Sequence, residues 1–68
     1  MDDEEAILDE TMENLTEATQ RLRAIRNLLW AKGVEERVNY QDLAHRVNSA
    51  LAMTEAAYLE ARRRSKQV

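Results

Sequence analysis

The feature that most constrains this chain is a leucine repeat with a period of seven. Its members are Leu8, Leu15, Leu22 and Leu29, with Ala18 and Ile25 three residues after two of them. Because two turns of an α-helix take about seven residues, this spacing puts the leucines on one side of a helix, as in a coiled-coil seam. The first half of the chain therefore predicts a long amphipathic helix that packs against another helix.

The first predicted helix covers about residues 3–32. Asp2 and Asp3 can cap its start, where the positive end of the helix dipole favours acidic side chains. The chain has no proline and a single glycine, Gly33. A glycine readily takes the left-handed conformation that ends many helices, and Val34 after it can make the apolar contact of a Schellman ending.

The second predicted helix covers about residues 40–64. Asn39 is placed to cap it, and Asp42 three residues later resembles the second member of a capping box. The predicted seam has alternating spacings of three and four and consists of Tyr40, Leu43, Val47, Ala50, Thr54, Ala57 and Ala61. A turn over residues 33–39 is short enough to make the two helices antiparallel neighbours.

These elements predict an all-α fold, an antiparallel two-helix hairpin that forms a single domain over residues 1–68. A core this small gives only a few kcal/mol of stability, so small chains usually rely on disulfides, a structural metal or oligomerisation. The chain has no cysteine and one histidine, which leaves oligomerisation. We therefore expect a homodimer in which two hairpins form a four-helix bundle.

The second helix carries more apolar surface than one seam needs. Ala52, Met53, Ala56 and Leu59 form a second stripe beside the predicted seam, and a surplus of this kind indicates a second contact surface. The residues predicted to form a dimer or partner interface are Trp30, Leu51, Ala52, Met53, Ala56, Tyr58 and Leu59. Trp30 has an alternative, in which it folds over the turn against Val34, Val38 and Tyr40.

The charges argue against export and against a general affinity for nucleic acid. The first twenty residues contain eight acids and no base, and the net charge is −3. This start is unlike a secretory signal, and no apolar run approaches the roughly 18 residues of a membrane span. We expect a cytoplasmic protein that does not bind membranes. A local cationic cluster, Arg21, Arg23 and Arg26, is the candidate for phosphate contacts.

Catalytic and ligand-binding signatures are missing from the sequence. There is no cysteine nucleophile and no glycine-rich phosphate loop, and His45 has only Asp42 nearby as a second candidate metal ligand. The serines and threonines have no recognisable base with an orienting acid. We therefore predict no enzymatic activity, no catalytic residues, no cofactor and no metal site.

In length, acidic balance and two-helix plan the chain resembles the Rop-type dimers, which bind RNA, and the small co-chaperones of bacterial needle secretion systems. The likeness is one of architecture and identifies no binding residue. The surplus apolar surface favours a non-enzymatic protein-interaction module. We expect a homodimeric hairpin that binds and regulates another protein, as an inhibitor, anti-activator or assembly adaptor of bacterial or phage type. The alternative is a Rop-like dimeric regulator that binds RNA or DNA.

Overall fold

The computed structural model describes residues 3–67, which form two α-helices joined by a short turn. Helix α1 covers Asp3–Glu36 and helix α2 covers Gln41–Ser65. The helices pack against each other along an elongated body of 54 × 14 × 12 Å. Since a helix of 34 residues is about 51 Å long, α1 runs almost the full length of the molecule. The predicted all-helical hairpin is confirmed.

The predicted end of α1 at Lys32 is wrong, because the helix continues through Gly33 to Glu36. The left-handed residue is Arg37, with φ 55°. The backbone N–H of Val38 donates to the carbonyl oxygen of Gly33 over 3.0 Å, which is the six-residue hydrogen bond of a Schellman ending. The motif is therefore of the predicted type but lies four residues later than predicted.

Gly33 serves the turn by its small size. A Cβ atom at this position would lie 3.0 Å from the carbonyl oxygen of Val38 and 3.4 Å from Cδ2 of Tyr40. The chain folds back so closely over α1 that a side chain at position 33 would press on the returning backbone. Gly33 allows this close approach and does not end the helix, which is why the predicted helix end was wrong.

The N-cap residue of α2 is Tyr40, one position after the predicted cap at Asn39, and its side chain makes no capping hydrogen bond. The side-chain oxygen of Asn39 accepts a hydrogen bond of 2.9 Å from the backbone N–H of Gln41, one of the amides that have no partner within the helix. The carbonyl oxygen of Tyr40 accepts the N–H of Ala44 over 2.8 Å, so the helical bonding pattern starts there. The first residue of α2 is Gln41, one position after the predicted start.

The α1 side of the hairpin seam follows the leucine repeat. Leu8, Leu15, Leu22 and Leu29 are half-buried, as are the residues four positions after each of them, which are Met12, Thr19, Arg26 and Gly33. Ala18 is also half-buried, but Ile25, predicted as part of the seam, is 45% exposed. The seam of α1 thus combines each leucine with the residue four positions later.

The α2 side of the seam keeps Tyr40, Val47, Thr54 and Ala61 of the prediction, but its three other members lie one residue later than predicted. Its buried members are Ala44, Leu51 and Ala61, and its half-buried members include Val47, Thr54, Tyr58 and Ser65. Leu43, Ala50 and Ala57, which were predicted to face α1, are exposed. Residues 50–61 are apolar around most of the helix, so periodicity alone selects no side; facing Leu51 and Tyr58 toward α1 buries more apolar area than facing the alanines would.

Candidate interaction surfaces

An ion pair between the helices distinguishes the two faces of the hairpin. Arg23 Nη2 and Glu55 Oε1 lie 3.0 Å apart on one side of the seam. Each helical residue is rotated by about 100° from the one before, so residues two apart point to nearly opposite sides. Ile25 and Ala57, each two residues further along its helix, therefore lie on the other side of the seam.

The face that contains the ion pair is called the polar face. Residues seven apart share one side of a helix, so this face consists of Asp9, Thr16, Arg23 and Trp30 on α1 and of Gln41, Asn48, Glu55 and Arg62 on α2. Apart from Trp30 near the turn, charged, hydroxyl and amide groups line both helices here. Such a face can stay in contact with water at little cost in free energy.

The opposite side of the hairpin is called the apolar face. By the same spacing it consists of Thr11, Ala18 and Ile25 on α1 and of Leu43, Ala50 and Ala57 on α2; Leu28, three residues after Ile25, lies beside it toward the outer side of α1. Ile25, Leu28 and Leu43 are each about half exposed, at 45%, 57% and 49%. Both helices contribute to this surface, and the seam runs along its middle.

Ion pairs border the apolar face at its two ends. Near the turn, Lys32 Nζ lies 3.3 Å from Glu35 Oε2, and Lys32 is seven residues after Ile25. At the open end of the hairpin, Arg64 is seven residues after Ala57 and its Nε lies 2.8 Å from Glu60 Oε2. An apolar centre with a charged rim is the usual anatomy of a protein–protein interface.

Glu60 is the most perturbed acid among the described residues. It accepts hydrogen bonds from Arg63 and Arg64 of its own helix. These bonds, first that of Arg63 and then that of Arg64, lower the pKa of Glu60 from 4.5 to about 2. The same contact raises the pKa of Arg63. One carboxylate thus holds two guanidinium groups at the end of α2.

The second stripe predicted on α2 is exposed, and we call it the outward stripe: Ala52, Met53, Ala56 and Leu59. Met53 is 74% exposed and Leu59 is 61% exposed. Since the seam of α2 runs through Leu51 and Tyr58, these four residues lie on the side of α2 that points away from α1. The outward stripe is one helix wide.

Two other residues of the predicted interface belong to the hairpin seam. Leu51 is only 6% exposed, and Tyr58 is half-buried. Leu51 therefore offers almost no surface to a second chain, and neither residue is part of the interfaces that we propose below. The rotation of the α2 seam explains both positions.

Trp30 lies at the turn end of the hairpin, beside an open groove of about 570 Å³. The groove has apolar walls, formed by Trp30, Val34, Val38 and Tyr40, and polar groups from Asn39, Gln41, His45 and Asn48. Trp30 remains 63% exposed, so it does not close over the turn as the alternative interpretation required. Its role in binding a partner stays a prediction.

The candidate nucleic-acid residues are largely engaged within the hairpin. Arg21 Nη2 lies 2.8 Å from Glu17 Oε1. Arg23 binds Glu55 across the helices, and Arg26 is half-buried in the seam. Since phosphate binding depends on cations whose charge is not already balanced, these contacts weaken the support for RNA or DNA binding, which stays a prediction.

Three further findings bear on function. Among residues 3–67, no group of three or more histidine, aspartate or glutamate side chains is arranged to hold a metal ion. Within the same part of the chain, neither helix is long and apolar enough to cross a membrane. No protein family, curated protein or solved structure is detectably similar to the sequence or the fold.

Proposed function

We propose that this chain is a non-enzymatic protein-interaction module: a homodimeric helical hairpin that binds another protein and regulates it. The observation that carries the proposal is the amount of surface that the hairpin leaves uncovered. The chain exposes 5504 Å², whereas a folded monomer of 7.9 kDa is expected to expose about 4,400 Å². The excess, about 1,100 Å², is more than the roughly 800 Å² that each partner buries in a standard interface.

The exposed apolar side chains are placed where interfaces could use them. Some of them lie on two separate surfaces, the apolar face and the outward stripe, and others line the groove at the turn, so one chain can contact two other chains at once. A contiguous apolar surface on a small protein is typical of an interaction site. Met53 suits the outward stripe to a protein partner because its flexible thioether adapts to different surfaces.

Regulation by occupancy is the mechanism that fits this arrangement. A partner helix or groove that covers the outward stripe would be masked from its other ligands. The hairpin would then act as an inhibitor, an anti-activator or an assembly adaptor, depending on which surface of the partner it covers. Amphipathic helices that lie in an apolar groove are a common mode of such recognition.

Variants of the outward stripe test the proposal. A tagged chain is used to capture proteins from an extract of the source cell, and the captured proteins are identified by mass spectrometry. We expect Met53→Glu and Leu59→Glu to lose a partner that the unchanged chain captures, while the helical circular dichroism of both variants persists. The reason is that a carboxylate in the centre of a desolvated contact has no partner there.

The matched control is Gln20→Glu, which adds the same charge at an exposed position on the outer side of α1 and should retain the partner. Capture that is equal for all variants would contradict the proposed role of the outward stripe. If neither the unchanged chain nor any variant captures a specific protein, the chain is better described as a dimer with a purely structural role.

A further inference from the structure

The proposed function assumes a homodimer, and the structure offers two apolar surfaces on which it could form. We propose that the second copy of the chain covers the apolar face, with both turns at the same end of the resulting four-helix bundle. The outward stripe then remains free for a different protein. This inference deepens the proposed function and rests on it.

The dimensions of the hairpin fit a stable dimer. One long side of the molecule, 54 Å by 14 Å, covers about 750 Å², close to the roughly 800 Å² that one partner contributes to a standard interface. The apolar face spans both helices and occupies about half of the length of such a side, so the dimer contact would also include the polar residues at its two ends. The outward stripe, by contrast, occupies the outer surface of α2 alone, so a contact through it would leave Ile25, Leu28 and Leu43 exposed.

The small residues of the apolar face favour close packing of helices. Ala18 on α1 and Ala50 and Ala57 on α2 border the seam, and their short side chains let the helices of a second hairpin approach. Ile25 and Leu43 are the larger side chains that would fill the spaces between them. Alternation of large and small residues is what facing helices of a bundle need in order to interdigitate.

Charge decides the orientation of the second copy. Between residues 3 and 17, α1 carries seven acids and no base, whereas the end of α2 carries Arg62, Arg63, Arg64 and Lys66. If both turns lie at the same end, α1 of each copy faces α2 of the other. Acidic and basic helix ends then alternate around the open end of the bundle, so every acidic end has two basic neighbours.

The opposite orientation loses this alternation. With the turns at opposite ends, α1 faces its own copy, and the open end of each hairpin lies beside the turn of the other. The acidic start of α1 would then face the turn region of the partner instead of its basic end. Exposed ion pairs are individually weak, but the opposite orientation forms fewer of them, because each acidic end loses its second basic neighbour.

Two alanine variants separate the apolar face from the outward stripe. Ala50 and Ala52 are both exposed residues of α2 and point to nearly opposite sides of the helix. We expect Ala50→Glu to halve the mass measured by light scattering, while Ala52→Glu keeps the mass of a dimer. The reverse result would assign the dimer to the outward stripe and overturn the inference.

A monomeric mass for the unchanged chain at every concentration would overturn both the inference and the homodimer of the proposed function. A dimer that survives Ala50→Glu but dissociates with Ala52→Glu would overturn only the inference. If Ala50→Glu lowers both the mass and the helical circular dichroism, the lower mass reflects unfolding of the hairpin itself. Disulfide cross-linking of chains that carry a single cysteine substitution then tests which face forms the dimer.

Cross-linking also tests the orientation, because the chain has no cysteine of its own. Chains that carry Ile25→Cys are mixed with tagged chains that carry Ala50→Cys, and the mixture is oxidised. We expect disulfides between the two different variants, since Ile25 of one copy faces α2 of the other. Disulfides only between identical variants would overturn the shared-end orientation, and an absence of cross-links in a protein of dimeric mass would overturn the choice of face.

Discussion

The two faces of this hairpin flank the same seam but differ in how they meet water. The polar face is bridged by Arg23 and Glu55 and lined by groups that water can solvate. The apolar face has alanine, isoleucine and leucine at the equivalent positions and charged pairs only at its ends. In a hairpin with a single helix–helix interface, this difference is the basis for the proposal that a further chain covers the apolar face and not the polar face.

The comparison also separates the two kinds of apolar surface on α2. The apolar face lies beside the seam and is shared with α1, so it suits an extended contact between two hairpins. The outward stripe belongs to α2 alone, and its most exposed member, Met53, is flexible. A broad face shared by both helices and a narrow stripe on one of them are suited to partners of different shape.

The largest effect is expected from the seam that supports both faces. Leu51→Ala removes a buried side chain between the helices and should lower the free energy of unfolding by about 2–3 kcal/mol. Leu59→Ala, at an exposed position of the same helix, should change it by less than about 0.5 kcal/mol. Urea denaturation followed by circular dichroism measures both; similar losses would mean that the α2 seam does not run through Leu51.

A second variant would remove the contrast between the faces. Replacing both Arg23 and Glu55 with leucine makes the polar face apolar as well. Because both side chains are about half exposed, losing the pair should cost at most about 1 kcal/mol of hairpin stability. The new patch should raise the average mass in light scattering above that of a dimer as concentration increases.

The control for this variant is Arg23→Ala, which breaks the ion pair without adding a large apolar side chain. It should leave the mass unchanged. If the double leucine variant also keeps a constant mass at all concentrations, the polar character of this face has no part in limiting association.

A substitution in the turn between the two helices should have a smaller effect on the free energy of unfolding. Arg37 has a positive φ, a conformation that glycine adopts without the steric cost of a Cβ atom. We expect Arg37→Gly to raise the free energy of unfolding by about 0.5–1 kcal/mol. Thermal denaturation measures the change, and a comparable gain from Glu36→Gly, which lies within α1, would argue against the assigned turn.

The smallest effect concerns the ionic cluster at the open end of the apolar face. The pKa of Glu60 is lowered from 4.5 to about 2 by its hydrogen bonds to Arg63 and Arg64. A lowered folded-state pKa means that the stabilisation is present above about pH 4.5 and is lost as the pH falls toward 2. NMR titration of the Glu60 carboxyl carbon should give a midpoint well below 4.5.

Glu60→Gln should remove the part of the pH dependence of stability that falls between pH 4.5 and 2. A Glu60 midpoint close to 4.5 in the unchanged chain would mean that the two arginines do not hold this carboxylate in solution. Added salt should raise the midpoint toward its ordinary value, because screening weakens exposed ion pairs.

The sequence carries enough local information to predict the elements and much less to predict their mutual rotation. The leucine repeat and Asn39 correctly indicated a helix with one apolar row and the start of a second helix. Gly33 was the one residue whose chemistry allowed two interpretations, a left-handed helix end or a close approach of backbone. The structure shows a close approach of the backbone at Gly33, and the left-handed residue that ends the helix is Arg37. An arginine side chain does not indicate a helix end in the sequence.

For the candidate surfaces, the sequence predicted that α2 has surplus apolar residues but not which of them remain outside. The outward stripe was identified, while Leu51 and Tyr58 were predicted to belong to the dimer or partner interface although they lie in the seam. The apolar face was missed, because Ile25, Ala50 and Ala57 were placed in the seam itself. A signal for it was present in the heptad spacing, since Arg23 and Glu55 mark the opposite side.

What the sequence by itself determined is the hairpin: two helices, their antiparallel order, the start of the second helix to within one residue and the presence of more apolar surface than two helices can bury. Helical periodicity is a local property, so it shows which residues share one side of a helix. Only the tertiary structure decided how far each helix is rotated about its axis. That rotation depends on which side chains fill the space between the helices. The rotation in turn decides which residues form the polar face, the apolar face and the outward stripe.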